Sequence, residues 1–298
     1  MELRRVAFGD RPGDEVWAAL RGGGVEERWL AAVALGGQGR YAAAVAVLSE
    51  LVRGGGLFGS LAASTLASHR RQLGGHAVAR VLDGRALAMV PGGGRRDEDD
   101  VDAAGARVDA LLGLAADAVG AGRVGEARRL HGLVEPRGWR SRVRHRWLAA
   151  EIALAGGSAE EAVGHAEVAA AVAREAGARR HALKSDLVLG TALVVRGTPE
   201  SVDRGCRLLE CDLTHTDREG LFSLSWPAAL VLANAQADRS IAGTENMKER
   251  AKNALSCVLR RADPIGRRLA ARSPWIPTAL LRSGEPPNAD PETNFLTD

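Results

Sequence analysis

The sequence predicts an all-α fold built from tandem antiparallel helix pairs, and two observations carry this prediction. Apolar residues make up 46% of the chain but aromatic residues only 4%, so the apolar content is mostly Ala, Leu and Val. This composition favours helices that pack closely through small side chains. In addition, the five residues 28–32 recur unchanged at 146–150, and in both places a Gly stands ten positions after the Trp. The recurrence indicates the duplication of a helix pair.

Each copy of this repeat continues into a second helical segment. Residues 41–51 follow Gly39 and residues 159–166 follow Gly157, and apolar or small side chains recur in both at intervals of three and four. Such spacing places one apolar stripe along a helix. The same kind of pattern predicts four further pairs, about six in all, within 57–90, 109–130, 184–202 and 220–262.

Local signals mark where some helices begin and where the pattern stops. Thr198 is predicted to N-cap a helix with Pro199 in its first turn, and residues 158–161 have the pattern of a capping box. Residues 91–100, PGGGRRDEDD, predict an exposed loop and a candidate hinge. The proline-rich, weakly apolar stretch 282–298 is predicted to be a disordered tail.

The helix pairs resemble tetratricopeptide repeats. That family has small or apolar residues in the middle of the first helix, a Gly at the turn, an aromatic residue two positions later and a small residue early in the second helix. Gly39, Tyr41 and Ala44 match these positions, whereas the proline that ends the family's repeat is generally absent. The resemblance implies a single domain over residues 1–281, a right-handed superhelix of helix pairs, or α-solenoid, whose concave face is lined by the first helices and binds peptides.

The repeat register, carried onto this sequence, implies a set of concave-face residues. An apolar groove with Trp anchors suits an amphipathic helix or a short peptide. The family's clamp for a terminal carboxylate needs Asn, which these helices lack, so that clamp is not predicted. We expect a non-enzymatic scaffold or regulatory protein with a protein or peptide partner, bound by Trp29, Val33, Arg144, Trp147, Glu151, Lys184 and Leu187, with Glu26, Asp109, Leu112 and Thr191 on the same face.

The densest positive charge of the sequence lies between Arg137 and Trp147. Arginines interleaved with Trp suit phosphates, bases or an acidic partner, which gives the alternative of a nucleic-acid-associated regulator. The other interpretation is a solvated helix start whose Trp side chains are core. The net charge of +3 is mild and does not by itself indicate nucleic-acid binding, and the many arginines beside only three lysines are typical of a GC-rich genome such as an actinobacterial one. The candidate phosphate-binding or acidic-partner residues are Arg137, Arg140, Arg142 and Arg146.

No string of residues predicts catalysis or a cofactor. The glycine-rich residues 37–42 and 120–125 fall between paired helices and indicate turns, not a dinucleotide fingerprint. Cys206, Cys211 and His215 could supply zinc ligands, but burial as small apolar residues is the expectation. We therefore predict no enzyme, no cofactor and no metal, and keep a small-molecule sensor or enzyme with an internal pocket as a second alternative.

Three cysteines and the absence of a leader-like apolar segment predict a cytoplasmic protein. No run approaches the roughly 18 consecutive apolar residues of a membrane helix, so no membrane partner is expected.

Overall fold

The computed structural model describes residues 2–239 and 243–281, and within these ranges the chain forms helices and no β-strand. The predicted tail, 282–298, lies outside the described residues. None of the described helices combines the length and the apolar character needed to span a membrane. In chain order the helices are α1 (Glu2–Ala7), α2 (Trp17–Gly22), α3 (Val25–Gly37), α4 (Tyr41–Gly54), α5 (Gly56–Gln72), α6 (His76–Ala88), α7 (Ala103–Gly120), α8 (Val124–His131), α9 (Trp139–Ala155), α10 (Ala159–Glu175), α11 (Arg179–Arg196), α12 (Pro199–Arg218), α13 (Phe222–Asp238), α14 (Thr244–Arg260) and α15 (Pro264–Arg272), followed by a 3₁₀ helix (Thr278–Leu281).

Twelve of the described helices form six consecutive pairs, from α3–α4 to α13–α14. Every helix from α3 to α14 packs on its neighbours in the chain. The pairs expected within 57–90 and 220–262 are present as α5–α6 and α13–α14. The predictions of an all-α fold and of about six helix pairs are confirmed.

Glycines make the turns that the sequence assigns to them. Positive φ angles of 70°, 72°, 81° and 80° occur at Gly39, Gly122, Gly157 and Gly197. Side chains rarely adopt such a conformation, so glycine lets the backbone reverse direction within two or three residues. The glycine-rich strings at 37–42 and 120–125 therefore lie at the turns before α4 and α8, as predicted.

One of the two predicted helix caps is present. The Thr198 side chain accepts a hydrogen bond from the backbone N–H of Ser201, and Pro199 lies in the first turn of α12, which confirms this prediction. The prediction of a capping box at residues 158–161 is wrong, because the Ser158 side chain accepts no hydrogen bond from the first turn of α10. Its backbone, at φ −105° and ψ 78°, is not in the extended conformation that a capping side chain needs.

The first helices of the six pairs form a continuous layer, which we call the first-helix layer. In it α3 packs on α5, α5 on α7, and so on to α13, and α13 also contacts α3. Two hydrogen bonds join the ends of this series. The Ser223 hydroxyl donates to the carbonyl of Gly37 over 2.6 Å, and the Ala42 N–H donates to the carbonyl of Arg261 over 2.8 Å.

The segment before α3 lies against the first-helix layer and not at its edge. The Phe8 ring is 3% exposed and lies 5.9 Å from the Trp29 ring of α3 and 6.4 Å from the His181 ring of α11. The N–H of Arg179 donates to the carbonyl of Gly9 over 3.0 Å. This segment therefore connects α3 with α11, a contact that the repeat pattern does not predict.

The end of the loop 91–100 is fastened to the fold. The Asp100 carboxylate accepts hydrogen bonds from the N–H groups of Gly138 and Ser141, at 2.9 and 2.8 Å. Arg4 pairs with Asp97 at 2.9 Å. The hinge at 91–100 stays a prediction, and these bonds confine its freedom to the residues before Asp97.

Candidate functional site

The first-helix layer carries a concentration of charged side chains in its interior. Burial alone would disfavour every one of them, so their arrangement calls for a physical explanation. The helices that carry them pack on one another, α5 on α7, α7 on α9 and α9 on α11. We call five of them the inner cationic cluster: Arg71 of α5, Arg140 and Arg144 of α9, and Arg180 and Lys184 of α11.

Two members of the inner cationic cluster have acidic partners. Arg71 pairs with Asp83 and, at 2.8 Å, with Asp117. Arg140 pairs with Asp109 at 2.8 Å. Burial opposes the charge of both arginines, but these carboxylates outweigh it and hold the pKa of each arginine above its ordinary value.

The other three members lack such partners. Arg144 reaches Asp109 only at 3.4 Å, and that carboxylate already binds Arg140. Within the described residues Arg180 makes no hydrogen bond and no ion pair, and its Nε atom is sealed from solvent. The Lys184 Nζ atom lies 4.3 Å from the centre of the Trp147 ring. No carboxylate of residues 2–239 or 243–281 lies within ion-pairing distance of it. The cluster therefore has more positive charge than its own acids neutralise.

The pKa values of the unpaired cations are lowered, in contrast to those of the two paired arginines. Burial, together with the neighbouring Arg144 and Arg140, lowers the pKa of Arg180 to about 10. Burial also lowers the pKa of Lys184, although Glu151 opposes the shift. Burial raises the pKa of Asp83 although Arg71 opposes this, which weakens the negative charge available to the cluster. A bound anion would offset the electrostatic cost of these cations.

Local sequence explains how two of the unpaired cations come to lie on the same side of α11. Arg180 and Lys184 are four residues apart on α11, so their side chains lie on one face of the helix. The Arg180 side chain passes against Gly37 of α3, where a Cβ atom would come within 2.7 Å of its Cδ atom. A glycine at the end of α3 is what leaves room for the arginine.

Histidines next to the cluster do not add charge at neutral pH. His181 stacks on Trp147 with ring centres 5.5 Å apart, and burial lowers its pKa well below the ordinary value, with Arg180 adding to the shift. Burial likewise lowers the pKa of His69 to about 3. The positive charge of the site therefore comes from Arg and Lys alone.

The two tryptophans predicted as groove anchors lie inside the fold. Trp29 is 1% exposed and its indole N–H donates to the Thr65 hydroxyl over 3.1 Å. Trp147 is 8% exposed and donates to the Ser185 hydroxyl over 2.8 Å. Both indoles thus have their polar atom satisfied within the chain.

The remaining predicted groove residues divide into two groups. Arg144, Glu151 and Lys184 lie beside Trp147 and are only partly buried. Val33 packs against the core around Trp29, and Leu187 belongs to the core between α11, α12 and α13. Of the others on that face, Glu26 pairs with Arg4 at 2.6 Å, Leu112 is core, and Asp109 binds Arg140.

The arginine-rich start of α9 does not present one surface. Arg137 and Arg142 are exposed, whereas Arg140 is buried on Asp109. Arg146 donates to Nδ1 of His165 on α10 over 3.1 Å. Each residue of a helix is rotated by about 100° from the last, so arginines two positions apart point in different directions. The alternation in the sequence therefore spreads the charge around the helix.

The Cys206, Cys211 and His215 set does not form a closed group. Cys206 is half-buried, and Cys211 is exposed, so the expectation that these cysteines are buried is wrong for Cys211. Five helical positions turn it away from Cys206. Within residues 2–239 and 243–281, no three His, Cys, Asp or Glu side chains are arranged to hold a metal ion.

Sequence reasoning missed two members of the cluster, Arg71 and Arg180. The available signal was the spacing of Arg180 and Lys184 on a first helix, whose inward face the repeat register had already assigned. No protein-family model matches this chain, and no curated protein sequence matches it significantly.

Proposed function

We propose that the chain is a non-enzymatic binding protein whose concave face receives an acidic segment of a protein partner. In this proposal the helix pairs wind into a right-handed superhelix like that of tetratricopeptide repeats, with the first helices on the concave side. The resemblance of the repeats and the packing of successive helices support this winding, and because α13 returns to α3 the concave side is the inside of a series whose two ends meet. One observation carries the binding site: Arg144, Arg180 and Lys184 bring positive charge into the fold without adequate acidic partners.

The physical reason is the cost of holding charge away from water. Arg144, Arg180 and Lys184 are half-buried, and a charged group that is partly removed from water without a partner is disfavoured. A carboxylate from a partner offsets that cost and gains short, charge-assisted hydrogen bonds to the guanidinium groups. The penalty is present only in the free protein, so the cluster favours the bound state.

The same geometry indicates what kind of partner suits the site. Trp29 and Trp147 already donate their indole N–H groups within the chain and contribute little open apolar surface. Recognition at Arg144, Arg180 and Lys184 is then mainly electrostatic. An acidic peptide fits this site better than an apolar amphipathic helix does.

A matched pair of peptides tests the proposal. The probes are a capped peptide of alternating glutamate and alanine and its glutamine counterpart, titrated calorimetrically into the full chain. We expect the glutamate peptide to bind and the glutamine peptide not to bind. Arg180→Gln should weaken binding roughly tenfold, because it removes a half-buried charged partner of the carboxylate. The control Arg207→Gln, at an exposed position on α12, should leave affinity unchanged. If the two variants weakened binding equally, the proposed binding site at Arg180 would be wrong.

A second candidate function is a sensor of a small organic dianion. The sealed Nε atom of Arg180 favours it, because a small ligand reaches an interior site more easily than a peptide does. Succinate should then raise the Tm, and the neutral diamide of succinate should not, since a ligand that binds only the folded state stabilises it. Succinate binding without peptide binding would replace the first proposal by this one.

The nucleic-acid alternative retains less support from geometry. Of its four predicted contacts, Arg140 and Arg146 are engaged within the fold, which leaves Arg137 and Arg142 exposed. It requires an affinity for nucleic acid that falls steeply as salt rises. A flat salt response would exclude it.

A further inference from the structure

A cleft separate from the inner cationic cluster lies where the loop 91–100 meets the start of α7. Its volume is about 480 Å³, within the range of small-molecule sites. The floor is apolar, formed by Leu87, Val90, Pro91 and Val108. We call this the loop cleft.

Four arginines surround the loop cleft: Arg95, Arg96, Arg107 and Arg137. All four are exposed, and none forms an ion pair with another described residue. Arg96 is held toward Arg137 by a long hydrogen bond of 3.5 Å to its carbonyl. Arginines gathered around an apolar floor without carboxylate partners differ from an ordinary solvated surface, where charges of both signs alternate.

Two acidic residues also line the loop cleft, but their carboxylates are already bound. Asp100 accepts from the N–H groups of Gly138 and Ser141. Asp102 accepts from the N–H groups of Gly105 and Asp97, both at 2.8 Å. Both carboxylates accept hydrogen bonds from backbone N–H groups and form no ion pair with the four arginines. Four positive charges against two negative ones leave an excess of two in the lining.

The helix that opens into the loop cleft adds hydrogen-bond donors to it. Ala103 and Ala104 occupy the first two positions of α7 and line the cleft, and N–H groups there have no acceptor within the helix. The Asp102 carboxylate already caps this end of α7 through the N–H of Gly105, so the helix contributes the N–H groups of Ala103 and Ala104 as donors and no uncompensated dipole.

We infer that the loop cleft binds a small organic phosphate, with the phosphate on the arginines and an apolar group on the floor. A phosphate monoester carries a charge between −1.5 and −2 at neutral pH, which matches the excess of about two in the lining. Its oxygens accept the paired N–H groups of guanidinium in a planar arrangement. An apolar floor gives no advantage to inorganic phosphate, so it indicates an ester with an apolar body.

Calorimetric titration of the full chain with three probes tests this inference. We expect phenyl phosphate to bind roughly tenfold more tightly than inorganic phosphate, since it also buries its ring, and benzyl alcohol not to bind. The variant Arg107→Gln with Arg137→Gln should lose most of the affinity for phenyl phosphate. The control is Arg21→Gln with Arg85→Gln, two exposed arginines outside the cleft, and it should bind as the wild type does.

Each other outcome would overturn the inference. Binding lost equally in both double variants would mean a nonspecific response to net charge. Binding retained in the cleft variant but lost in Arg180→Gln would place the phosphate in the inner cationic cluster. Equal affinity for phenyl phosphate and inorganic phosphate would mean that no apolar group binds on the floor of the loop cleft.

Discussion

Gly37 at the end of α3 and Arg180 at the start of α11 touch across the first-helix layer. A Cβ atom at position 37 would lie 2.7 Å from the Cδ atom of Arg180, closer than two carbon atoms approach without a shift. The glycine therefore determines where the guanidinium lies. Because Arg180 has no acidic partner in the described chain, this one contact links the packing of the fold to the proposed anion site.

Gly37→Ala should displace Arg180 and destabilise the fold by about 1 kcal/mol, the lower end of the range for overpacking, because the atoms that must move belong to the outer part of a flexible side chain. Chemical denaturation measures the effect. Gly164→Ala is the control, because that helical glycine of α10 has open space around it, and alanine there should stabilise by up to about 1 kcal/mol. In the background of Arg180→Ala the cost of Gly37→Ala should largely disappear, because the clashing atoms are gone. A cost that persists there would mean that another contact limits position 37.

Arg180→Met should stabilise the protein in the absence of ligand, by up to about 1 kcal/mol, because it replaces a half-buried, unpaired charge by an apolar chain of similar length. The free energy of unfolding measures this, and binding of the glutamate peptide should be lost in the same variant.

Arg140→Met provides the contrast. Its loss leaves the buried Asp109 with only the longer contact to Arg144, so we expect a destabilisation of about 3–5 kcal/mol. If both substitutions destabilised equally, Arg180 would have a structural partner, and the anion site would lose its main support.

The repeat architecture was predictable because its signals are local. Turn glycines such as Gly39 and Gly157 and the apolar spacing around them are set within about ten residues. Even the weakly marked pair within 220–262 is present as α13–α14. The capping box at Ser158 failed because a cap depends on backbone angles that the residue pattern alone does not determine.

The site was only partly predictable because it depends on contacts between distant residues. The register assigned Arg144, Trp147, Glu151 and Lys184 to first helices, and the structure has them on α9 and α11. It did not show that Arg140 would reach Asp109, 31 positions earlier, while Arg180 would find no carboxylate. A charged residue looks the same in a sequence whether or not the fold supplies its partner.

Asp212 should make stability depend on pH. Burial, together with the nearby Asp186, raises the pKa of its carboxyl to about 8. Between the unfolded pKa, near 4, and pH 8 the folded state holds a proton that the unfolded state has lost. Stability from this group is therefore present at low pH and decreases as pH rises through that window.

The free energy of unfolding of the wild type should fall between pH 5 and pH 8. In Asp212→Asn this fall should be smaller by an amount on the order of a few kcal/mol. Glu210→Gln, exposed on the same helix, is the control and should keep the wild-type slope. An unchanged slope in Asp212→Asn would assign the pH dependence to other groups.

Phe8→Ala tests whether the N-terminal segment folds as part of the first-helix layer. Phe8 is 3% exposed, contacts Trp29 and His181, and receives the Arg140 guanidinium 5.4 Å from its ring centre. Removing a fully buried Phe ring costs about 3–5 kcal/mol, and that full cost applies only if the segment unfolds together with the rest. Phe58→Ala, at a half-buried ring beside Trp29, should cost less. If Phe8→Ala cost no more than Phe58→Ala, the segment would open independently and expose the interior around Arg140 without global unfolding.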